Sequence, residues 1–234
     1  MAAPQSGEPR LRQVLVLAAV DLEARGLARH LGLTRVDTTP WPRYRGGALE
    51  VVGIGPGAGH LRERLDHEPK ASLVVSAGAC GGLAPDLAPG DLVVPEVVLG
   101  TAGARYVTDA VPGVVRRGTL LSTGELVPSP AAKARLWMET GAQAVDMESA
   151  AIVRWARDRA LDVTVVRAVA DPARVGVPAD LAAVVEPGGR VRPGRALRAV
   201  LARPGAVADA LTLGRNTERA LRTVAAALGR IVRG

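Results

Sequence analysis

Ser72-Leu-Val-Val-Ser-Ala-Gly-Ala-Cys-Gly-Gly-Leu-Ala-Pro85 decides the fold. Its first half, Ser72 to Ala77, is a short apolar run with serine as its only polar residue. Such a run suits a strand covered on both faces. Its second half, Gly78 to Gly82, reads as a glycine-rich turn at the carboxyl end of that strand. Working outward, similar runs fall at Val14 to Ala19, Ala48 to Val52, Asp91 to Val98, Gly118 to Ser122, Ala142 to Asp146 and Val163 to Ala170. Helical patterns alternate with them, at Asp21 to Leu31, Gly57 to Asp66, Ala131 to Thr140, Glu148 to Arg159 and Pro204 to Val232. Strands that alternate with helices predict an α/β fold: a central, mostly parallel twisted sheet flanked by helices in three layers. In helix 148 to 159, Ala151, Ile152, Trp155 and Ala156 recur at helical spacing and are expected to face the core.

The 234 residues, 48% of them hydrophobic, suit one domain over 10–234 after a disordered stretch at 1–9. The apolar run after Arg10 and Arg12 is too short to span a bilayer, which needs ~20 residues, and Asp21 and Glu23 follow it. It reads as the first strand of a cytoplasmic protein. Cys80 is the sole cysteine, so no internal disulfide forms. Its small apolar flanks suggest a packed thiol rather than a nucleophile. His30, His60 and His67 have no ligand spacing, so no metal is expected. Gly53-x-Gly55-x-x-Ala58 outlines a dinucleotide fingerprint. The next strand, however, ends in Ser76-Ala77-Gly78 without an acid to hold a ribose, so no nicotinamide cofactor is expected either.

In open α/β sheets ligands bind beyond the carboxyl ends of the strands. Five strands deliver chemistry to that rim: the first reaches Asp21 and Glu23, the second Gly53-Ile54-Gly55, and the third Gly78 to Gly82. The sixth reaches Asp146-Met147-Glu148 and the seventh Asp171. Glu23 and Glu148 also fit as ordinary first-turn acids at helix N-termini, and Asp171 before Pro172 fits as a turn starter. Jointly, acids on separate strand ends suit cleavage of an N-glycosidic bond. That reaction needs a proton for the leaving base, tolerance of positive charge on the sugar, and an activated nucleophile on the opposite face.

Four segments carry a resemblance: Ser76-Ala-Gly-Ala-Cys-Gly-Gly-Leu-Ala-Pro85, Pro89-Gly-Asp-Leu-Val-Val94, Val145-Asp-Met-Glu-Ser-Ala-Ala151 and Val166-Arg-Ala-Val-Ala-Asp171. In order and spacing, over roughly residues 13 to 175, they resemble the purine nucleoside phosphorylase and methylthioadenosine/adenosylhomocysteine nucleosidase superfamily. Thr140 to Ser149, Gly53-Ile-Gly-Pro56 and the tail with Arg203-Pro204 and Asp209-Ala-Leu look most like its hopanoid-associated phosphorylase branch. That branch implies release of adenine from adenosylhopane by a homodimer. Methylthioadenosine/adenosylhomocysteine nucleosidase, futalosine hydrolase and a true phosphorylase are the rival activities.

The resemblance implies that Asp171 protonates or hydrogen-bonds N7 of the purine. It implies that Glu23 activates water, that Glu148 grips the ribose 2′ and 3′ hydroxyls, and that Met147 packs under the sugar. Leu126 and Val127 fall where the base is sandwiched, and Gly55, Gly78 and Ala79 line the substrate. Ser76 and Ala79 stand where the phosphorylases keep Arg and Ser to hold phosphate, which favours hydrolysis; Arg25, Arg43 and Arg45 are the candidates should phosphate bind. Ala170 replaces the Ser that commonly precedes the catalytic Asp, so Asp171 needs support from elsewhere.

The net charge of +7 belongs to the tail, where residues 190 to 234 hold ten Arg against Asp209 and Glu218. Few aromatic residues and no recognition motif argue against nucleic acid. On a helix, Arg215, Arg219, Arg222, Arg230 and Arg233 share an arc of roughly 80°. That face is either solvated or rests peripherally on anionic lipid; a catalytically idle, membrane-docking nucleoside binder is the reading from another class.

Overall fold

Strand β1 (Val14–Ala18) is apolar and buried at all five positions because it lies inside the sheet with helices on both faces. The computed structural model describes residues 13–65, 70–176 and 206–234. Helix α1 (Asp21–Leu31) follows β1 and stops at Gly32, whose φ of +66° supplies the left-handed cap. A hairpin edge, β2 (Thr34–Arg35) and β3 (Arg43–Gly46), leads into β4 (Leu49–Gly53). After a turn at Pro56–Ala58 and the short α2 (Leu61–Leu65), the chain enters β5 (Leu73–Gly82). Next come β6 (Leu92–Val93), β7 (Val97–Leu99), β8 (Arg105–Val107), β9 (Thr119–Ser122) and α3 (Pro130–Thr140). β10 (Ala144–Asp146), α4 (Ser149–Arg157), β11 (Asp162–Asp171) and α5 (Ala206–Arg233) complete the described chain.

One sheet holds all these strands, in the order β2-β3-β4-β1-β5-β10-β9-β7-β8, with β11 beside β5 and β6 beside β11. Its central pairings, β4 with β1, β1 with β5, and β5 with β11, are parallel. On one face β1 and β5 bury Val14, Val16, Val75 and Ala77 against α1 and against Leu221, Val224 and Leu228 of α5. On the other face Leu15, Leu17, Val74 and Val165 meet Ile152, Val153 and Trp155 of α4 and Leu61 and Leu65 of α2. The fold is therefore three-layered α/β, as the alternating pattern predicts.

Several expectations change. The glycine-rich stretch is not a turn: β5 continues through Gly82, pairing with β11 as far as Gly81 and turning antiparallel to β10 at Gly81 and Gly82. Small residues permit that sharing, because two strands approach one backbone from different directions. The run Asp91 to Val98 splits into β6 and β7 around Pro95, which offers no N–H to a ladder. Helix α2 begins at Leu61 rather than Gly57, whose φ is +61°. Ala151 of α4 is only half-buried, while Val153 joins Ile152, Trp155 and Ala156 in the core. The N-terminal stretch 1–9 and the helix start at Pro204 lie outside the described residues.

Candidate active site

Arg167 organises the rim. It sits in the middle of β11, fully buried, where the strand between its terminal Asp162 and Asp171 otherwise carries only apolar side chains and Thr164. A buried guanidinium survives only with charge and hydrogen-bond partners. Its Nη2 donates to Ser76 Oγ at 2.9 Å and lies 2.8 Å from Asp146 Oδ2 and 3.5 Å from Glu148 Oε2. Its Nη1 is buried without a hydrogen-bond partner.

Glu23 reaches the same cluster from the first turn of α1. Its Oε2 accepts from Val20 N at 3.4 Å, the first-turn role open to it from sequence, but its Oε1 accepts from Ala79 N of β5 at 2.8 Å. Gly78, beside it, has a φ of +151°. A Cβ there would lie 2.7 Å from Arg167 Nη1 and 2.8 Å from Glu23 Oε1. Glycine is thus required both by conformation and by the approach of the two charged groups. The unpartnered Nη1 and the Glu23 carboxyl therefore converge over the backbone of Gly78.

Glu148 is not a first-turn cap. Asp146 performs that task for α4, receiving Ser149 Oγ and, at 3.3 Å, Ser149 N. The Glu148 carboxylate leaves the helix, and its Oε1 accepts from Gly57 N at 2.9 Å. So β4's glycine turn does reach the site, through Gly57; Gly55 is buried with φ +80° and shapes the bend. Ser149 Oγ and Ser76 Oγ, 3.0 Å apart, close the network under Arg167.

Burial pushes the Glu23 carboxyl up from its ordinary value, and the Arg167 charge opposes it. Glu148 is pushed up to about 7 by burial, with Arg167 again opposing and Asp146 and Glu23 adding to the rise. A carboxyl whose folded pKa exceeds its unfolded value of 4.5 contributes stability fully below pH 4.5, and loses it as pH rises through 7. At ~1.4 kcal/mol per unit, Glu148→Gln should gain about 3 kcal/mol on the wild type between pH 4 and pH 8. Urea unfolding at the two pH values measures this, and a difference that ignores pH contradicts it.

Asp171 stands at the end of β11, after an irregularity in the β5–β11 register between Val169 and Asp171. Such bulges re-aim the side chains beside them. The Asp171 Oδ2 would lie 3.0 Å from a Cβ on Gly81, so a side chain there would crowd the carboxyl. The support that Ala170 does not give comes from Lys133 of α3, whose Nζ is 2.6 Å from Asp171 Oδ2. Burial pushes the Asp171 carboxyl up, and Lys133 draws it back.

Met147 is half-buried between Asp146 and Glu148. Val127 packs beside Leu121 and Val145, whereas Leu126 is 42% exposed. Arg43 and Arg45 both pair with Glu50 on the hairpin edge, and Arg25 is exposed, so the structure brings none of them into the network around Arg167. The Cys80 thiol is buried and pushed up, which suits a packed group. Sequence reasoning missed Arg167, Ser149, Gly57 and Lys133 as site residues, and it placed Asp146 at the rim without giving it a role. The signal for Arg167 was a charge inside an otherwise apolar strand.

Several solved structures share this architecture. The 5′-methylthioadenosine/S-adenosylhomocysteine nucleosidase of Neisseria meningitidis, in complex with methylthio-immucillin-A, superposes with a TM-score of 0.68. It shares 18% identity, over 95% of this chain and 99% of the other. A point mutant of the Helicobacter pylori enzyme with 5′-methylthioadenosine in its active site gives 0.69 at 16% identity, over 95% and 98%. The futalosine hydrolase of H. pylori gives 0.66 at 16% identity, over 95% and 98%. No curated protein sequence matches significantly. These likenesses concern the fold; the sequence itself matches the phosphorylase superfamily model over residues 13–113 and 107–202, and the chain belongs to that superfamily.

Proposed function

We propose that the protein hydrolyses the N-glycosidic bond of a purine nucleoside, releasing the base. The observation that carries this reading is the convergence of the Glu23 carboxyl and the unpartnered Arg167 Nη1 over Gly78. The Glu148 carboxyl lies in the same network, and Asp171 stands where β11 ends. Arg167 and Glu23 hold a water; Glu23, made more basic by burial, takes its proton as the oxygen joins the sugar C1. Glu148 receives the ribose hydroxyls and Met147 packs under the ring, while Leu126 and Val127 flank the base. Asp171 gives its proton to N7, so the bond's electron pair leaves with a neutral base.

Water is favoured over phosphate by charge. Three carboxyl groups, Glu23, Asp146 and Glu148, already share the Arg167 guanidinium, which leaves little of its charge for an incoming polyanion.

For the substrate we favour adenosylhopane, cleaved at the cytoplasmic face of a membrane. The support is the tail and branch-like segments of the sequence, together with α5, which keeps Arg215, Arg219, Arg222, Arg230 and Arg233 at least partly exposed while its other face is buried. Among the described residues no helix is long and apolar enough to cross a membrane, so a lipid-linked substrate calls for contact through such a face. A homodimer is part of the same proposal. The test is a panel: methylthioadenosine, adenosylhomocysteine, futalosine, and adenosylhopane in anionic vesicles, each with and without phosphate. Fastest release of adenine from the vesicle-borne substrate supports the assignment. Fastest release from methylthioadenosine or adenosylhomocysteine moves it to the soluble nucleosides, and no base from any of them leaves a nucleoside-binding protein.

A further inference from the structure

Helix α3 inverts the usual logic of a surface helix. Of its eleven residues only Lys133 is buried, with no exposed side-chain surface, while Leu136, Trp137 and Met138 remain partly or fully exposed. The helix is fixed at its start by Ser129, whose Oγ accepts from Ala132 N. Its buried ammonium has four oxygens around it: Asp171 Oδ2 at 2.6 Å and the carbonyls of Asp171, Pro172 and Val175 at 3.0, 3.1 and 2.9 Å. Three of the four are backbone atoms of the turn that carries the candidate acid. An apolar residue would serve a helix that needed only packing; an ammonium in this cage serves a charge.

We propose that Lys133 is the positioning residue for Asp171: its ammonium locks the turn 171–175 and holds the carboxyl in place, and it stabilises the carboxylate left when the proton passes to the purine. This rests on the reading of Asp171 as the proton donor. The proton leaves the Asp171 hydroxyl for N7 of the base, the glycosidic electron pair leaves with the base, and the new carboxylate faces the Lys133 charge. The carboxylate regains a proton from solvent after the base departs. Among the described residues, the Cys80 thiol of β5 is the other titratable group that interacts with Asp171; burial keeps it neutral, so Lys133 supplies the charge that opposes the rise in the acid's proton affinity.

The experiment uses the full chain and a purine nucleoside that the wild type cleaves. It compares Lys133→Met, Asp171→Asn and the double variant by steady-state kinetics across pH. Lys133→Met should lower kcat by ~10-fold or more with KM little changed. With the opposing charge gone, the alkaline limb of kcat should move to higher pH by about half a unit or more. The double variant should be no slower than Asp171→Asn alone, because the lysine acts through the acid. That comparison holds even where Lys133→Met alone fails to fold, since the double variant removes both buried charges together.

An unmoved alkaline limb, or a further tenfold loss in the double variant, would show a lysine that only holds the turn and would overturn the proposal. Normal kcat in Lys133→Met with slow Asp171→Asn overturns the lysine's role alone. Normal kcat in Asp171→Asn overturns the acid and its positioning residue together.

Discussion

Asp171→Asn should lower turnover about 100-fold or more and leave the protein folded. Asparagine keeps the shape of the side chain but has no acidic proton to give. The fold survives because Lys133 retains three backbone carbonyls, those of Asp171, Pro172 and Val175, after the carboxylate is gone. Turnover is read from release of free base under saturating nucleoside, and folding from circular dichroism and the urea midpoint. Near-normal turnover in a folded variant would remove Asp171 from the chemistry.

Arg167→Met produces the larger structural effect. The methionine fills much of the volume, but Glu23, Asp146 and Glu148, each about 5–6% exposed, lose the guanidinium they share. Removing one partner of a buried ionic network costs roughly 3–5 kcal/mol, so the variant should lose that much stability at pH 8. Glu23 and Glu148, already raised by burial, then hold protons still more tightly in the folded than in the unfolded chain. Stability so gained is complete below their unfolded values and fades as pH rises, which means the deficit should shrink toward pH 4. Urea unfolding across pH 4 to 8 reads both the size and the slope. A loss under ~1 kcal/mol at pH 8, or a deficit that grows toward acid, would deny Arg167 its place at the centre of the site.

The layers of the fold were legible because each strand next to the centre is a short apolar run. Helix α1 was readable to the residue, since an acid-rich first turn and Gly32 bound it. The edge strands β2, β3 and β8 were not legible: they are two to four residues long, and their side chains alternate too briefly to be told from loop. Gly78 to Gly82 looked like a turn because glycine is a turn residue locally. Only the partners β11 and β10, far away in sequence, make it strand.

The same division runs through the site. Glu23, Glu148 and Asp171 were visible because each follows a strand directly. Arg167 and Lys133 were passed over because their roles depend on partners distant in the chain: Ser76 is 91 residues from Arg167, and Asp171 is 38 from Lys133. Gly57 was likewise hidden, since its contact is with Glu148, also 91 residues away.

In the proposed reaction this network cleaves a purine nucleoside with water. The most direct measurement is to incubate the protein with a purine nucleoside in phosphate-free buffer made with oxygen-18 water, and to analyse base and sugar by mass spectrometry. Hydrolysis at this site should give free base together with an equal amount of free sugar carrying one oxygen-18 at C1, and Glu23→Gln should lose both. Absence of free base, or base released only with added phosphate and matched by sugar 1-phosphate, would contradict it.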